Sequence, residues 1–472
     1  MSPYVILIPL LLPVVSALWA FRRQDRTILI VLMAVETAAV ILACFASGSF
    51  EIPFIAGLRF VFAPDMVSRI FSVLFSVMFL LAGIFGFEYL HEKKNTYYLF
   101  YLLTLSAMLG LCYAGNLLTF YMFYESMTLL SFPLVLHEGT EESRRAAMKY
   151  LGYSLFGAAL ALFGFFVVSG VSRGAAFIPG GSLTAGATPV TLAAALALII
   201  GFGGKAGMIP LHDWLPTAHP VAPAPASAVL SGVITKGGIL GILRTVYYLY
   251  GADVLRGTYV QKTALILALV TAFTGSMLAY KEKILKKRLA YSTVSQVSYV
   301  VFGLMLLEPA GFSGAILQAV FHAAAKVCLF LCAGAFICKT GKTRVEELYG
   351  IGRSMPLPLF CFAAAGLSLI GIPPFAGFVS KWYLAEGSLA AFPAAGWIGA
   401  AVLLVSALLT AGYLLVPVSK GFFPGEGYAF GPVHCGLCIC IPLVILAAGT
   451  LILGLFPSQL MTWIGSLTAG LM

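Results

Sequence analysis

The chain has 472 residues, of which 61% are hydrophobic and only 10% charged, and its mean hydropathy is +1.00. A water-soluble domain carries about a quarter charged residues, so a fully solvated surface is excluded. The net charge of +10 would suit an anionic partner, but its placement along the chain gives it another cause.

Apolar runs of about 18–25 residues recur from end to end, the length that crosses roughly 30 Å of hydrocarbon. The runs are continuous and do not alternate, which excludes a β-barrel. Helices follow, because backbone polar groups in lipid must be satisfied within their own segment. The expected fold class is therefore an all-α polytopic membrane protein. The first run, residues 4–21, has no charged region ahead of it and no small-residue cleavage site, so it reads as a retained helix. Cutting at charged, Pro-rich and Gly-rich stretches gives about fourteen spans: 3–21, 27–48, 65–87, 97–114, 116–136, 149–170, 190–208, 226–250, 260–280, 290–308, 312–338, 357–390, 395–417 and 438–458. The twelfth is too long for one plain span and is interrupted by Gly371, Pro373 and Pro374. Most of the nine cysteines lie inside runs and act as small hydrophobes. His434, Cys435, Cys438 and Cys440 contain a CxxC, but it opens the last run and has no second CxxC, so no metal is expected there.

The loops sort by charge. Odd-numbered loops hold Arg22, Arg23, Arg26, Lys93, Lys94, Arg144, Arg145, Lys149, Lys281, Lys283, Lys286, Lys287, Arg288, Lys339, Lys342, Arg344, Arg353 and Lys420, whereas even-numbered loops and their helix ends hold Arg59, Arg69, Arg173, Arg256 and Lys262. The positive-inside rule places the odd loops in the cytoplasm of a plasma membrane protein, with both termini outside. The basic balance is thus topological, and no nucleic acid is expected.

Five basic residues remain inside spans: Lys205, Lys236, Arg244, Lys326 and Lys381. Glu36, Glu125 and His322 join them. A charge at mid-bilayer costs roughly 2.5–3.5 kcal/mol on insertion scales, so several in one chain imply pairing or water. Glu125 sits mid-run between apolar turns. Lys205 follows Gly201, Gly203 and Gly204 and precedes Pro210; Lys381 follows Gly371, Pro373, Pro374 and Gly377. Small residues and proline mark helices broken at membrane depth, here in runs seven and twelve. Their five-run offset is odd, which makes the two halves opposite in orientation. His322 and Lys326 are four apart and share one helix face, with Gln318 a further four residues back. Arg244, near the outer end of run eight, reads as snorkelling to the interface. Glu36 reads as a packing residue or one facing a neighbouring subunit. Taken together, Glu125, Lys205, Lys236, His322, Lys326 and Lys381 are too many buried titratable groups for structure alone, and point to ion conduction.

At these residues the chain resembles the antiporter-like subunits of respiratory complex I and their relatives in Mrp-type cation/proton antiporters and membrane-bound hydrogenases. The resemblance rests on Gly204-Lys205-Ala206-Gly207-Met208-Ile209-Pro210-Leu211-His212-Asp213-Trp214, on Ala222-Pro223-Ala224-Pro225 running to Lys236, and on Leu285 to Gln296. His322 with Lys326 and the stretch from Gly371 to Lys381 complete it. It covers roughly residues 100–390. It implies about fourteen helices with two inverted five-helix repeats and broken helices 7 and 12. The division it implies is an N-terminal three-helix segment (1–96), a first repeat (97–250), a second repeat (251–417) and a C-terminal helix (418–472). It assigns Glu125 and Lys205 as an ion pair in a first half-channel, Lys236 with His322 and Lys326 as a central relay, and Lys381 as the gate of a second. The last span lies close to the end of the sequence, so the long lateral helix of the most distal complex I subunit is not expected.

Lysine suits a relay because burial brings its proton loss within reach, whereas arginine stays charged. Ser292, Ser295 and Gln296 are further groups expected to hold water between the titratable side chains. No cysteine spacing of ferredoxin type and no phosphate-binding loop is found, so no cofactor is expected in this chain. Fe–S, flavin or NiFe groups would belong to peripheral redox subunits, alongside other membrane subunits as partners. The expected function is proton translocation within such a redox-driven complex. The alternative is a subunit of an Mrp-type Na⁺/H⁺ antiporter without redox partner. A passive spacer is a third reading, against which the lysine series stands.

Overall fold

A computed structural model describes every residue except 24, 56, 173, 174, 185, 426–430 and 432. Arg173, counted above among the outer basic residues, therefore lies outside the described residues. The chain is almost wholly helical: α1 (Leu7–Arg22), α2 (Arg26–Ala43), α3 (Met66–Tyr89), α4 (Lys94–Tyr113), α5 (Leu117–Leu136), α6 (Glu141–Val171), α7 (Pro189–Ala206), α8 (Trp214–Val221), α9 (Ala224–Val229), α10 (Thr235–Arg244), α11 (Ala252–Leu255), α12 (Tyr259–Lys281), α13 (Leu285–Met305), α14 (Pro309–Thr340), α15 (Pro356–Ile370), α16 (Ala376–Ala391), α17 (Gly396–Phe422), α18 (Leu437–Leu455) and α19 (Ser458–Leu471). Side-chain caps start many of them where the apolar run begins: Asp25 for α2, Asp65 for α3, Asn116 for α5, Thr140 for α6, Thr188 for α7 and Thr258 for α12.

Among the described residues, eleven helices are long and apolar enough to cross a membrane, or twelve if the bent pair ending in α15 counts as one span. This is fewer than the fourteen expected. Three expected spans fall short for physical reasons. Glu125 and two tyrosines dilute α5, α13 opens with Lys286, Lys287 and Arg288, and α16 has only 16 residues. Two elements were not expected at all. A hairpin pairs β1 (Phe50–Pro53) antiparallel with β2 (Arg59–Phe62), closed by Phe50 stacked on Phe62 at 5.0 Å. The second is α19.

Loops meet one another at two ends of the bundle. At the basic end Asn95 donates to Phe21 O at 3.0 Å, Lys339 pairs with Glu88 at 3.2 Å, and Ile284 bridges Arg344. At the other end Phe62 bridges Ala114 and Asn116 bridges Ala176. Between them the segment Ala224–Tyr250 is wholly buried, as are nearly all residues of α13 and α14. This central stack carries Lys236, Arg244, His322 and Lys326, with Lys205 on α7 and Lys381 on α16 packed beside it.

Two breaks interrupt the helical course of the chain. The first separates α7 from α8, after Gly207 in the left-handed region at φ 87°. The second separates α15 from α16, after Gly371 at φ 94°. A side chain at Gly371 would be strained by that φ and would also meet Lys381 Cδ at 2.9 Å. A third irregularity is a π-helical turn, Leu230–Ile234, immediately before the α10 helix that carries Lys236.

Candidate functional site: a line of buried amines

Lys205 occupies the last turn of α7 and is 1% exposed. Its Nζ donates to Tyr150 Oη at 3.0 Å and to Ser154 Oγ at 2.8 Å. Tyr150 Oη in turn lies 2.6 Å from Ser131 Oγ. Three rings surround the ammonium: Tyr150 at 4.4 Å, Tyr124 at 5.9 Å and Trp214 at 5.9 Å from their centroids. Such faces attract a cation, worth up to about 2 kcal/mol when desolvated. Trp214 is held by its indole N–H on Gly204 O at 2.9 Å.

Glu125 does not pair with Lys205 here. The ion pair implied by the resemblance is replaced by the two hydroxyl contacts, and Glu125 Oε1 has no hydrogen-bond partner. Glu125 stands half-buried in the middle of α5. A neutral hydroxyl pair costs less desolvation than burying a second charge, which is why hydroxyls serve here as the amine's partners.

α10 crosses α7 beside this lysine, and the crossing needs a glycine. A Cβ at Gly238 would meet Phe202 O at 2.4 Å, Ala206 N at 2.7 Å and Lys205 Cβ at 3.2 Å. Gly238→Val is expected to force α10 off α7 at a cost of about 1–3 kcal/mol. It should be read as a lower thermal midpoint of the detergent-solubilised assembly.

Lys236 follows in the first turn of α10, fully buried. Its Nζ donates to Ser231 O at 3.1 Å and lies 2.5 Å from His322 Nδ1 on α14. Lys326, one turn along the same helix as His322, is fully buried and donates to Leu289 O at 2.9 Å. Among the described residues, no carboxylate pairs with these three. The structure therefore brings Lys236, His322 and Lys326 into one cluster, with His322 Nε2 left unpartnered.

Lys381 lies beyond, on α16, where its Nζ donates to Leu369 O at the end of α15 and faces the Tyr299 ring at 5.8 Å. A narrow void lined by Gln318, Phe321, His322, Ser368, Leu369 and Gly377 lies between His322 and Leu369, whose carbonyl is the partner of Lys381. The void has no room for a water molecule. Ser380 Oγ donates to Gln318 Oε1 at 2.6 Å, and Gln318 Nε2 donates to Gln296 Oε1 at 2.9 Å, so the polar stripe expected at Gln318 ties α16 to α13.

One reading of the sequence is corrected. Arg244 does not snorkel: it is 2% exposed and makes a bidentate pair with Asp65, at 2.5 and 3.0 Å, under the Tyr248 ring at 4.3 Å. Its planar fork matches the carboxylate that caps α3. Of the two readings given for Glu36, packing within the chain is the one its burial supports: it is 1% exposed, with both oxygens unpartnered. Around His434 and the last cysteines, no group of three ligating residues that could hold a metal is found among the described residues.

Sequence reasoning missed His219. It is fully buried, stacked on Phe330 at 4.7 Å, with both ring nitrogens unpartnered and with Lys286 and Lys326 as charged neighbours. It also missed Tyr150 and Ser154, whose i, i+4 spacing on α6 was the available signal.

Buried amines, broken helices and a histidine bridging two helical segments define a class: polytopic membrane proteins with a titratable line through their interior. The family model described as NADH:quinone oxidoreductase/Mrp antiporter, TM, matches residues 114–410, and the chain belongs to that family. It is 33% identical over 397 residues to NADH-quinone oxidoreductase subunit N of Desulforudis audaxviator, covering 79% of this chain and 76% of the relative. It is 30% identical over 414 residues to a Na(+)/H(+) antiporter subunit of Alkalihalophilus pseudofirmus, covering 86% of this chain and 82% of the relative. Its fold is similar to a chain of respiratory complex I from Thermus thermophilus with bound NADH, at TM-score 0.86 and 22% identity, covering 99% of this chain and all of that one. The chain is thus an antiporter-like multi-pass membrane subunit of a kind found in multi-subunit complexes.

Proposed function

We propose that this chain translocates protons within a redox-driven membrane complex of NADH:quinone oxidoreductase or membrane-bound hydrogenase type. The observation that carries the reading is the contact of Lys236 with His322. It joins the α7–α10 segment bearing Lys205 to the α14–α16 segment bearing Lys326 and Lys381. An amine this close to an imidazole nitrogen donates to its lone pair, so one group holds the proton that the other accepts next. The path runs from Glu125 and Lys205 through Lys236, His322 and Lys326 to Lys381. Lys205 and Lys381 each sit at a helix break and face a tyrosine at nearly the same distance, Tyr124 at 5.9 Å and Tyr299 at 5.8 Å. This favours two inverted five-helix repeats, 97–250 and 251–417, within a fourteen-helix plan between the 1–96 and 418–472 segments. The plasma membrane is the proposed location, with the basic loops in the cytoplasm and both termini outside. Redox cofactors would reside in peripheral partner subunits.

The second reading is a subunit of an Mrp-type Na⁺/H⁺ antiporter, favoured by the 30% identity to an antiporter component. Purification of the native assembly separates the two: co-purifying iron–sulfur, flavin or NiFe subunits support the first, and small membrane subunits without them the second. Proton pumping by Lys205→Ala and Glu125→Ala in inverted vesicles tests the path itself. Loss of pumping is expected in Lys205→Ala. Unchanged pumping in both variants removes the first half-channel.

A further inference from the structure

Where α12, α13 and α17 meet, hydroxyl groups contact one another as well as backbone carbonyls, Ser295 Oγ donating to Ala272 O at 2.8 Å and Thr410 Oγ1 to Ser406 O at 2.7 Å. Ser276 Oγ lies 2.8 Å from Ser295 Oγ and 2.5 Å from Ser406 Oγ, and the last two are 3.1 Å apart. All three are fully buried. The approach is enforced by Gly275, where a Cβ would meet Ser295 N at 2.7 Å. Tyr299 Oη faces Ser295 and Ser406, and its ring faces the Lys381 ammonium. Toward the basic end, Tyr413 Oη donates to Ser292 Oγ at 2.6 Å and approaches Thr410 Oγ1 at 3.2 Å. Arg288 in the first turn of α13 closes this end by donating to Tyr413 O at 3.1 Å.

We propose that this hydroxyl ladder, Ser292–Tyr413 followed by Ser276, Ser406, Ser295 and Tyr299, is a second proton inlet, leading from the basic-loop end to Lys381 without passing the Lys236–His322 cluster. The inference rests on the proton-translocation reading above. Hydroxyls in membrane helices ordinarily bond the carbonyl four residues back, as Ser298 does to Val294 O at 2.8 Å. Interhelical hydrogen bonds in membranes average only about 0.6 kcal/mol, so stability alone gives little reason to cluster four serines and two tyrosines on one seam. Each hydroxyl is both donor and acceptor. A proton bound at one side of an oxygen releases the hydrogen on the other to the next oxygen, and the neutral amine of Lys381 takes the last one as an ammonium. Every hydroxyl ends neutral and rotates to reset. Two steps exceed a hydrogen bond: from Thr410 to Ser406, a single helical turn of about 5.4 Å and the span of one bridging water, and from Tyr299 to Lys381, whose Nζ lies 5.8 Å from the ring centroid.

The test is proton uptake by the purified native assembly in liposomes under a potassium–valinomycin potential, in H₂O and D₂O. Ser295→Ala/Ser406→Ala and, separately, Tyr413→Phe are expected to slow uptake about tenfold. Ser406→Thr, which keeps a hydroxyl, should conduct like the wild type, and the isotope ratio should change only in the hydroxyl-deleted forms. Tyr413→Phe removes one oxygen and keeps the ring, so it reports even if the serine pair fails to assemble. Wild-type uptake in Tyr413→Phe and in the serine variant, with uptake lost in Lys381→Ala, overturns the ladder and leaves the proton-subunit reading standing. Wild-type uptake in Lys381→Ala overturns both.

Discussion

Lys236→Met is expected to lower proton translocation by about a hundredfold, an added barrier of ~2.7 kcal/mol, with the assembly intact. Methionine keeps the volume and flexibility of the side chain but carries no proton. The Nζ that lies 2.5 Å from His322 is then missing, and a proton arriving from Lys205 meets an apolar gap. Lys236→Arg should fail almost as completely, because a guanidinium does not release its proton. That second variant separates relay from charge: a purely electrostatic role tolerates arginine, and a relay does not. The measurement is acridine-dye quenching in inverted vesicles, with antibody quantification of the assembled complex. Full activity in Lys236→Arg would show that the site needs a cation and not a transferable proton.

The second large effect is on stability. Asp65→Ala leaves Arg244 charged and 2% exposed with its bidentate partner gone. Removing one member of a buried pair costs about 3–5 kcal/mol. The lower end applies here, since the Asp65 side chain keeps 29% of its exposure. The double variant Asp65→Leu/Arg244→Met should recover most of the loss, because a pair replaced by apolar groups is nearly neutral. Thermal midpoints of the solubilised assembly read both. Equal destabilisation by the single and double variants would mean that packing under the Tyr248 and Phe177 rings, 4.3 and 5.2 Å from the Arg244 guanidinium, and not the pair, holds this corner.

The contrast between these two sites explains what was legible in the sequence. Lys205, Lys236, His322, Lys326 and Lys381 announce themselves because charge inside an apolar run is costly and therefore rare. Helix breaks at Gly207 and Gly371 could be read from glycine and proline for the same local reason. Arg244 was misread because its partner lies 179 residues earlier in the chain, a relation that no local pattern encodes. The Glu125–Lys205 pair was expected from resemblance, but Tyr150 and Ser154 take the ammonium instead. Ser292 and Ser295 were singled out in the sequence as groups that hold water, but their partners Ser276, Ser406 and Tyr413 stayed hidden, because a serine every turn or so looks like ordinary back-bonding and only the register of three helices turns these hydroxyls toward each other. Span number was blurred where function intrudes, in α5, α13 and α16, each too polar or too short to register as a plain membrane crossing.

The dry void between His322 and Leu369, whose carbonyl is the partner of Lys381, bears on electrical behaviour. Voltage drops mainly across the least polarisable part of a path, and each elementary charge moved through 100 mV is worth about 2.3 kcal/mol. A stretch too tight for water therefore acts as the dielectric of a capacitor, with the Lys236–His322–Lys326 cluster on one plate and Lys381 on the other. Conductance should accordingly respond steeply to membrane potential, and whatever wets that gap sets when stored charge is released.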